Sequence, residues 1–445
     1  MEQFIQRVLA AAREAGITAA EIYLSSGDSF RAMCQQGQVN NYTVNSTRGL
    51  SLRGLYQGKM GYAATEAFDD EAVAQLVRGV KESAALIEDE DVQEIYPGDA
   101  EYPALDQYNP ALDQVPEARK LQFVLDLEKC AKEKDPRIVQ LTYDMLSTTS
   151  GQTRIANSYG LNLSFRDNLA VAVASALAKE GDRVSTGTGF AISRDFEALS
   201  VEKIAGEAVE EALFMLHAAP VPSGTYRAII HSRCMPDLLG VFSDVFSAEN
   251  AQKGMSLLAG KEGEVIAAPC VTLMDDPLLP GGLASRPFDA EGVAARPKAV
   301  IENGRLTTLL HNLKTARKAG VKTTGNAAKG GYAGTVEVAP SNFYLKPGEK
   351  SLEQLTAEMG EGLVITDVSG LHAGANAISG DFSLIAQGYT VKNGRKDQPV
   401  ERITVAGNFY QLLKNIRAVG SDLCFPGSSM GSPSVDVGEI AVAGK

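Results

Sequence analysis

Residues 281–320 read GGLASRPFDAEGVAARPKAVIENGRLTTLLHNLKTARKAG, and the two halves of this stretch follow different rules. The first half mixes glycine, proline and charges of both signs with almost no amphipathic period. A segment so rich in turn formers is expected at a surface where backbone, rather than side-chain bulk, meets something. In the second half Val300 and Ile301 precede Glu302-Asn303-Gly304, and Leu306, Leu309 and Leu310 follow. Asn-Gly supplies the positive φ angles of a tight hairpin, so a strand, a turn, a strand and then a basic helix are predicted, with the turn-rich half held on that rigid base.

Upstream, Phe4, Ile5, Val8, Leu9 and Ala12 recur at helical spacing, and Gly16 stands where a C-terminal cap belongs. From Ala20 to Thr65 the pattern is one of short extended runs broken by Gly27, Gly37, Gly49 and Gly58, with Gln57-Gly58-Lys59 as a hairpin turn. Strands so close in sequence leave no room for helical crossovers, so the sheet is expected to be mainly antiparallel. Asp69 is placed to cap a helix with the apolar stripe Val73, Leu76, Val77, Val80 and Ala84. A further helix over Leu121, Val124, Leu127 and Ala131 stops at Asp135-Pro136. Strand-like runs follow at 138–149, 153–156 and 161–178, and Ser200 opens a helix with Ile204, Ala208, Ala212 and Leu216. Pro220-Val221-Pro222-Ser223-Gly224 then punctuates the chain, dividing it into residues 1–219 and 220–445. Beyond it glycine is frequent and long helical periods are few. The expected class is α+β, with an N-terminal domain of mainly antiparallel sheet and helices and a β-rich C-terminal domain.

At 445 residues the chain exceeds what one core usually serves, consistent with two domains. No Lys or Arg occurs between Lys81 and Arg119, a stretch holding Glu88-Asp89-Glu90-Asp91 and the prolines Pro97, Pro103, Pro110 and Pro116. Its expected role is a solvated, partly extended connector; a docking site for a basic partner is the functional alternative. The net charge is −13, and the one basic cluster (Lys314, Arg317, Lys318, Lys322) fits the exposed face of a single helix. Duplex DNA demands a broad basic footprint, so direct nucleic-acid binding is excluded. No apolar run is long enough to span a membrane, and the N-terminus reads as an amphipathic helix rather than a signal peptide, so a cytoplasmic protein without membrane contact is expected. Five scattered cysteines without a C-x-x-C pair read as reduced thiols.

The opening stretch and four later ones in the same order resemble the TldD/PmbA family. They are TTGNA (Thr323 to Ala327), MGEGLVITDVSG (Met359 to Gly370), AISGDFSLIAQGYTVKNG (Ala377 to Gly394) and ERITVAGNFYQLLKNI (Glu401 to Ile416). These blocks cover most of the C-terminal half; the N-terminal half carries none. The resemblance implies a cytoplasmic peptidase assembled from a zinc-bearing TldD subunit and a TldE (PmbA) subunit, acting on unfolded or modified peptides. An older family name links it to DNA gyrase.

In the protease subunit, HExxxH lies on a helix just ahead of the opening stretch. Two histidines one turn apart face the same zinc, and the adjacent glutamate takes a proton from metal-bound water. The corresponding helix here runs from Pro236 to Phe246, and the best overlay puts Gly240, Val241 and Val245 where the two ligands and the base would stand. The family's third ligand is a C-terminal cysteine. Cys424 falls in that neighbourhood, but a lone thiol makes no such site, and a small buried hydrophobe is its plainer role. The resemblance therefore implies a PmbA/TldE-type chain with no catalytic residue and no metal of its own, zinc residing in a TldD-like partner, and a homodimer forming when that partner is absent. His372, Ser379 and Asp381 lie in a family block whose glycines let another backbone approach. They are the candidates for lining a peptide path in which an extended chain adds to a sheet edge; the plainer alternative has Asp381 capping a turn and His372 exposed. One rival reading is a self-contained metallohydrolase using His231, His311, His372 or Cys424. Another is a regulatory binding protein for gyrase. Ser428-Ser429 in the C-terminal Gly/Ser loop has no sequence-visible base, and no phosphate-binding loop is present.

Overall fold

The computed structural model describes residues 1–88, 91 and 93–445. Helix α1 (Glu2–Glu14) leads into β1 (Ala19–Gln35), β2 (Gln38–Tyr56) and β3 (Lys59–Thr65), followed by α2 (Asp70–Leu86), α3 (Pro110–Asp113) and α4 (Glu117–Lys134). Strands β4 (Ile138–Asn157), β5 (Asn162–Glu180) and β6 (Arg183–Ser193) complete a six-stranded antiparallel sheet in the order β3-β2-β1-β4-β5-β6, and α5 (Val201–Met215) ends the region. Two of its hairpins turn at Gln36-Gly37 and Gln57-Gly58, all four residues at positive φ. The strands are long where short runs are expected: Gly27 and Gly49 lie inside β1 and β2 rather than ending them. At Gly49 the reason is close approach, because a Cβ there would strike the ring of Tyr332 from the other half of the chain. Strand β6 gives no sequence signal of its own among the expected runs.

One face of this sheet carries the helices. Alanines at 170, 172, 174, 176 and 178 of β5 are all buried beneath α4 and α5, small residues letting helices lie close to the sheet. Ile22 and Leu24 of β1 with Leu50 and Leu52 of β2 take α1 and α2, whose buried stripes are Phe4, Ile5, Val8 and Leu76, Val80. Asp69 caps α2 by accepting the Ala72 N–H at 2.8 Å, and Ser200 caps α5 by accepting from Lys203. Alternation along β1 and β2 sends Glu21, Tyr23, Ser51 and Arg53 to the opposite face.

The second half begins with β7 (Gly224–Ile230), α6 (Met235–Phe242), α7 (Ala248–Gln252), β8 (Leu273–Asp275), β9 (Lys298–Glu302), β10 (Arg305–Leu306) and α8 (Leu313–Ala319). Then come β11 (Ala327–Ala328), β12 (Glu337–Val338), β13 (Phe343–Leu345), α9 (Leu352–Met359), β14 (Gly362–Ser369) and α10 (Leu371–Gly374). The last elements are β15 (Asp381–Lys392), β16 (Arg395–Asn408), α11 (Phe409–Asn415), β17 (Ala418–Val419), β18 (Met430–Gly431) and β19 (Val435–Ala443). Strands β7, β14, β15, β16 and β19 pair in a closed ring, since β19 bonds both β7 and β16. Closure leaves these strands no open edge for unwanted pairing. A second sheet, β10-β9-β8-β13-β18, packs into the same apolar cluster. The chain is thus α+β, antiparallel first and β-rich second, and among the described residues no helix is long and apolar enough to cross a membrane.

Two expectations are corrected. Residues 287–295 are buried throughout, so the turn-rich segment meets the first half of the chain rather than solvent. The acidic connector is docked as well, although Asp89 and Glu90 lie outside the described residues. Lys318 meets Asp91 at 3.1 Å, Lys314 meets Asp91 at 3.5 Å and Arg317 meets Glu94 at 3.2 Å. Helix α8 is therefore the basic partner of that segment, with Arg317 and Lys318 still half-exposed. The helix itself follows the sequence closely: Asn312 and Thr315 form a capping box, and Gly320 ends it in the left-handed region.

Candidate functional site

Helix α6 and the tight turn Ser243–Phe246 after it carry Gly240, Val241 and Val245, the positions that sequence overlays on the protease motif. Leu238, Leu239 and Phe242 are buried, and Phe242 stacks on Phe409 with ring centres 4.5 Å apart. Val245, in the tight turn Ser243–Phe246 that follows, is 1% exposed, while Val241 packs half-buried against the same core. Gly240 is half-buried, and a Cβ on it would lie 3.6 Å from Met430 Cγ. None of the three carries a nitrogen, oxygen or sulfur side-chain atom, which zinc requires. Cys424 is half-buried in a loop where its backbone exchanges two 3.1 Å hydrogen bonds with Ser432, and burial pushes its thiol pKa up. The TldD zinc set therefore does not fit these residues.

Of His372, Ser379 and Asp381, the last two come together at the start of β15. His372 is exposed on the short helix α10. The Ser379 hydroxyl donates to Asp381 Oδ2 at 2.9 Å, and Asn408 Nδ2 donates both to Asp381 Oδ1 and to the Ser379 carbonyl at 2.8 Å. These bonds, Asn408's first, hold the Asp381 pKa below the usual carboxylate value. Gly380 between them sits at φ +82°, and a Cβ there would come within 2.6 Å of the Tyr410 ring. Phe382, next in sequence, lies 6.3 Å from Phe242. The loop and the helix with the displaced motif thus share one aromatic cluster of Phe242, Phe382, Phe409 and Tyr410.

The other histidines lie elsewhere. His231 accepts the Arg233 N–H on Nδ1 at 3.1 Å, and His311 is buried with Nδ1 3.3 Å from Thr315 Oγ1; burial lowers both imidazole pKa values. Among the described residues, the one cluster of three side chains close enough to share a cation is Cys34, Glu128 and Asp144, and it includes none of His231, His311, His372 or Cys424.

The opening stretch does its work where the two halves meet. Arg53 Nε donates to Glu21 Oε1 at 2.7 Å, and Nη1 donates to Glu291 Oε1 at 2.9 Å, all three side chains being almost wholly buried. Glu291 Oε2 accepts the N–H of Leu313, the first residue of α8, where the helix dipole favours an anion. Asp289 accepts three backbone N–H groups, from Glu291, Val293 and Ala327, at 2.9 to 3.0 Å. Burial, with the charge of Glu291 behind it, still pushes Asp289 up to about 7. Lys329 donates to Ser51 Oγ at 2.8 Å with its ammonium 4.6 Å from the Tyr23 ring centre; burial, then Arg53, pulls it down to about 8. Beside this cluster a cavity of about 180 Å³ is lined by Tyr23, Phe165, Asp167, Arg286 and Phe288. Of these parts only the 281–320 stretch is legible in sequence; Glu21 and Arg53 sit in strands with no motif, Glu21's one signal being a charge inside the apolar run AAEIYL.

A helix-covered antiparallel sheet, joined through the buried Arg53–Glu291 pair to a second half built on a closed barrel, with α6 packed into that half's apolar cluster, makes a two-part α+β protein. Residues 20–84, 110–216 and 223–444 match, in turn, domain 1, the central domain and the C-terminal domain of the PmbA/TldA metallopeptidases. The chain belongs to the PmbA/TldD family. It is 27% identical over 432 residues to Metalloprotease PmbA of Escherichia coli O157:H7, covering 96% of this chain and 92% of that one. A Thermotoga maritima structure, described as a candidate modulator of a DNA gyrase, superposes with a TM-score of 0.93 at 35% identity over 99% of this chain and 100% of that one. TldE from Thermococcus kodakarensis, at 22% identity, shares the fold with a TM-score of 0.91 over 99% of this chain and 100% of that one.

Proposed function

We propose that this chain is a PmbA/TldE-type subunit that binds a TldD-like metalloprotease and shapes the path of unfolded or modified peptides to the partner's zinc, in the cytoplasm. The observation that carries the proposal is helix α6: the family framework is retained around Gly240, Val241 and Val245, yet these positions supply neither ligand nor base. Proteolysis then belongs to the partner, and this chain contributes wall and substrate path. Support for a docking surface comes from Tyr410, whose hydroxyl donates to the Ile378 carbonyl at 3.4 Å and lies near Leu257. Ile378 and Leu257 are both exposed there, beside the Ser379–Asp381 loop. Any link to gyrase is indirect in this reading, given a net charge of −13.

The test is co-expression with a TldD-like protein, followed by isolation of a complex and cleavage of an unstructured peptide. The complex should lose activity when the partner's motif glutamate is replaced and keep it nearly unchanged with His372→Ala. Peptidase activity from this chain alone, abolished by a chelator, would instead establish a self-contained metallohydrolase.

A further inference from the structure

A second group of donor atoms lies in the N-terminal region, on elements that hold none of the proposed peptide-path residues. At the end of β1 the register slips between Met33 and Cys34, a bulge that turns the Cys34 N–H away from β2 and onto Asp144 Oδ1 of β4 at 2.7 Å. Cys34 Sγ donates to Glu128 Oε2 of α4 at 3.1 Å. The same oxygen accepts the Gly37 N–H at 2.6 Å, and Glu128 Oε1 pairs with Lys132 Nζ at 2.5 Å. Cys34, Glu128 and Asp144 are 5%, 3% and 1% exposed, and one ligand atom from each lies within 4.8 Å of the others.

Asp144 is what a purely structural network leaves unexplained. Its Oδ2 is buried and accepts no hydrogen bond, whereas buried carboxylate oxygens are ordinarily satisfied. Thiol, carboxylate and an open carboxylate oxygen from three separate elements match the ligand chemistry of a borderline-soft divalent ion. A thiolate ligand disfavours magnesium and calcium, while two carboxylates disfavour copper(I). Charge closes too: a divalent ion with Cys34 thiolate, Glu128 and Asp144 carboxylates and the Lys132 ammonium sums to zero, the thiol proton leaving to solvent.

We propose that Cys34, Glu128 and Asp144 bind a divalent cation of the zinc class, tying the β1–β2 hairpin tip to α4 and β4. The site is structural and independent of the peptidase reading, so a metal found here says nothing for or against catalysis.

The experiment is a Cd²⁺ titration of the full chain after chelator treatment, read by the sulfur-to-cadmium charge-transfer band, with Zn²⁺ as competitor. The expected result is one tightly bound Cd²⁺ per chain, displaced by Zn²⁺, with the band absent in Cys34→Ser. In Asp144→Asn, a near-isosteric change checked for folding by circular dichroism, affinity should fall by more than about a hundredfold, the upper range for losing a mere outer-shell partner. Zn²⁺ should raise the thermal midpoint of the parent chain and not of either variant. No band at stoichiometric Cd²⁺, a band that survives in Cys34→Ser, or undiminished affinity in Asp144→Asn would each overturn the assignment.

Discussion

Two buried regions of this molecule are built on opposite principles. Around α6, where the family's hydrolytic chemistry would stand, the interior is apolar, with Phe242, Phe382 and Phe409 in contact and Val245 sealed behind them. At the junction of the two halves, where the densest family-like stretch lies, the interior is charged: Glu21, Arg53, Glu291 and Asp289 are all buried. The difference teaches that a family signature can mark architecture. Asp289 and Glu291 spend their oxygens on backbone N–H groups and Arg53, making the junction a lock between the first sheet and the 281–297 segment.

The sharpest way to break this comparison is to truncate one member of each region. Arg53→Ala leaves two carboxylates buried without their cation and should cost about 3–5 kcal/mol in urea unfolding. That deficit should shrink as pH falls into the carboxylate range, because Glu21, whose pKa burial already raises, can then be neutral. Phe242→Ala should cost a similar amount, about 3–5 kcal/mol, with a deficit indifferent to pH. Equal pH dependence in the two variants would erase the distinction drawn here.

Lys329 tests the junction more gently. Its native pKa of about 8 lies below the ordinary lysine value of 10.5, so between these limits unfolding takes up a proton. The stability of the parent relative to Lys329→Met should rise with pH across that window, by at most about 1.4 kcal/mol per pH unit. Below about 8, where the ammonium is charged in both states, the difference should be constant. Unfolding curves at stepped pH on both proteins check this, and a flat difference would mean that the ammonium is well solvated. The smallest effect is expected where charge is exposed: Lys318→Ala, loosening the hold of α8 on Asp91, should cost under about 1 kcal/mol, less in high salt.

Much of the local structure was legible from residues. Asp69 and Ser200 cap the helices they precede, Asn303 and Gly304 adopt positive φ in their hairpin turn, and Gly320 ends α8. Each signal is contained within a few neighbouring residues. The lack of ligand atoms at Gly240, Val241 and Val245 was likewise readable, since it depends on side-chain identity alone. Extended reach was not. Gly27 and Gly49 looked like strand breaks because isolated glycines weaken strands, yet tertiary packing carries β1 and β2 straight through them.

By itself, then, the sequence determined the longer helices, several turns, the α+β class, the family resemblance and the absence of an HExxxH motif. Only the tertiary structure decided that the turn-rich segment is interior and that the acidic connector finds its cations on α8. It also decided that Arg53 meets Glu291, 238 positions away, and that Cys34 meets Glu128 and Asp144. Caps and turns are energetic preferences of adjacent residues and are written where they act. A buried charge is tolerable only beside its partner, and which distant residue that partner is depends on how the sheets stack, a property no local window contains.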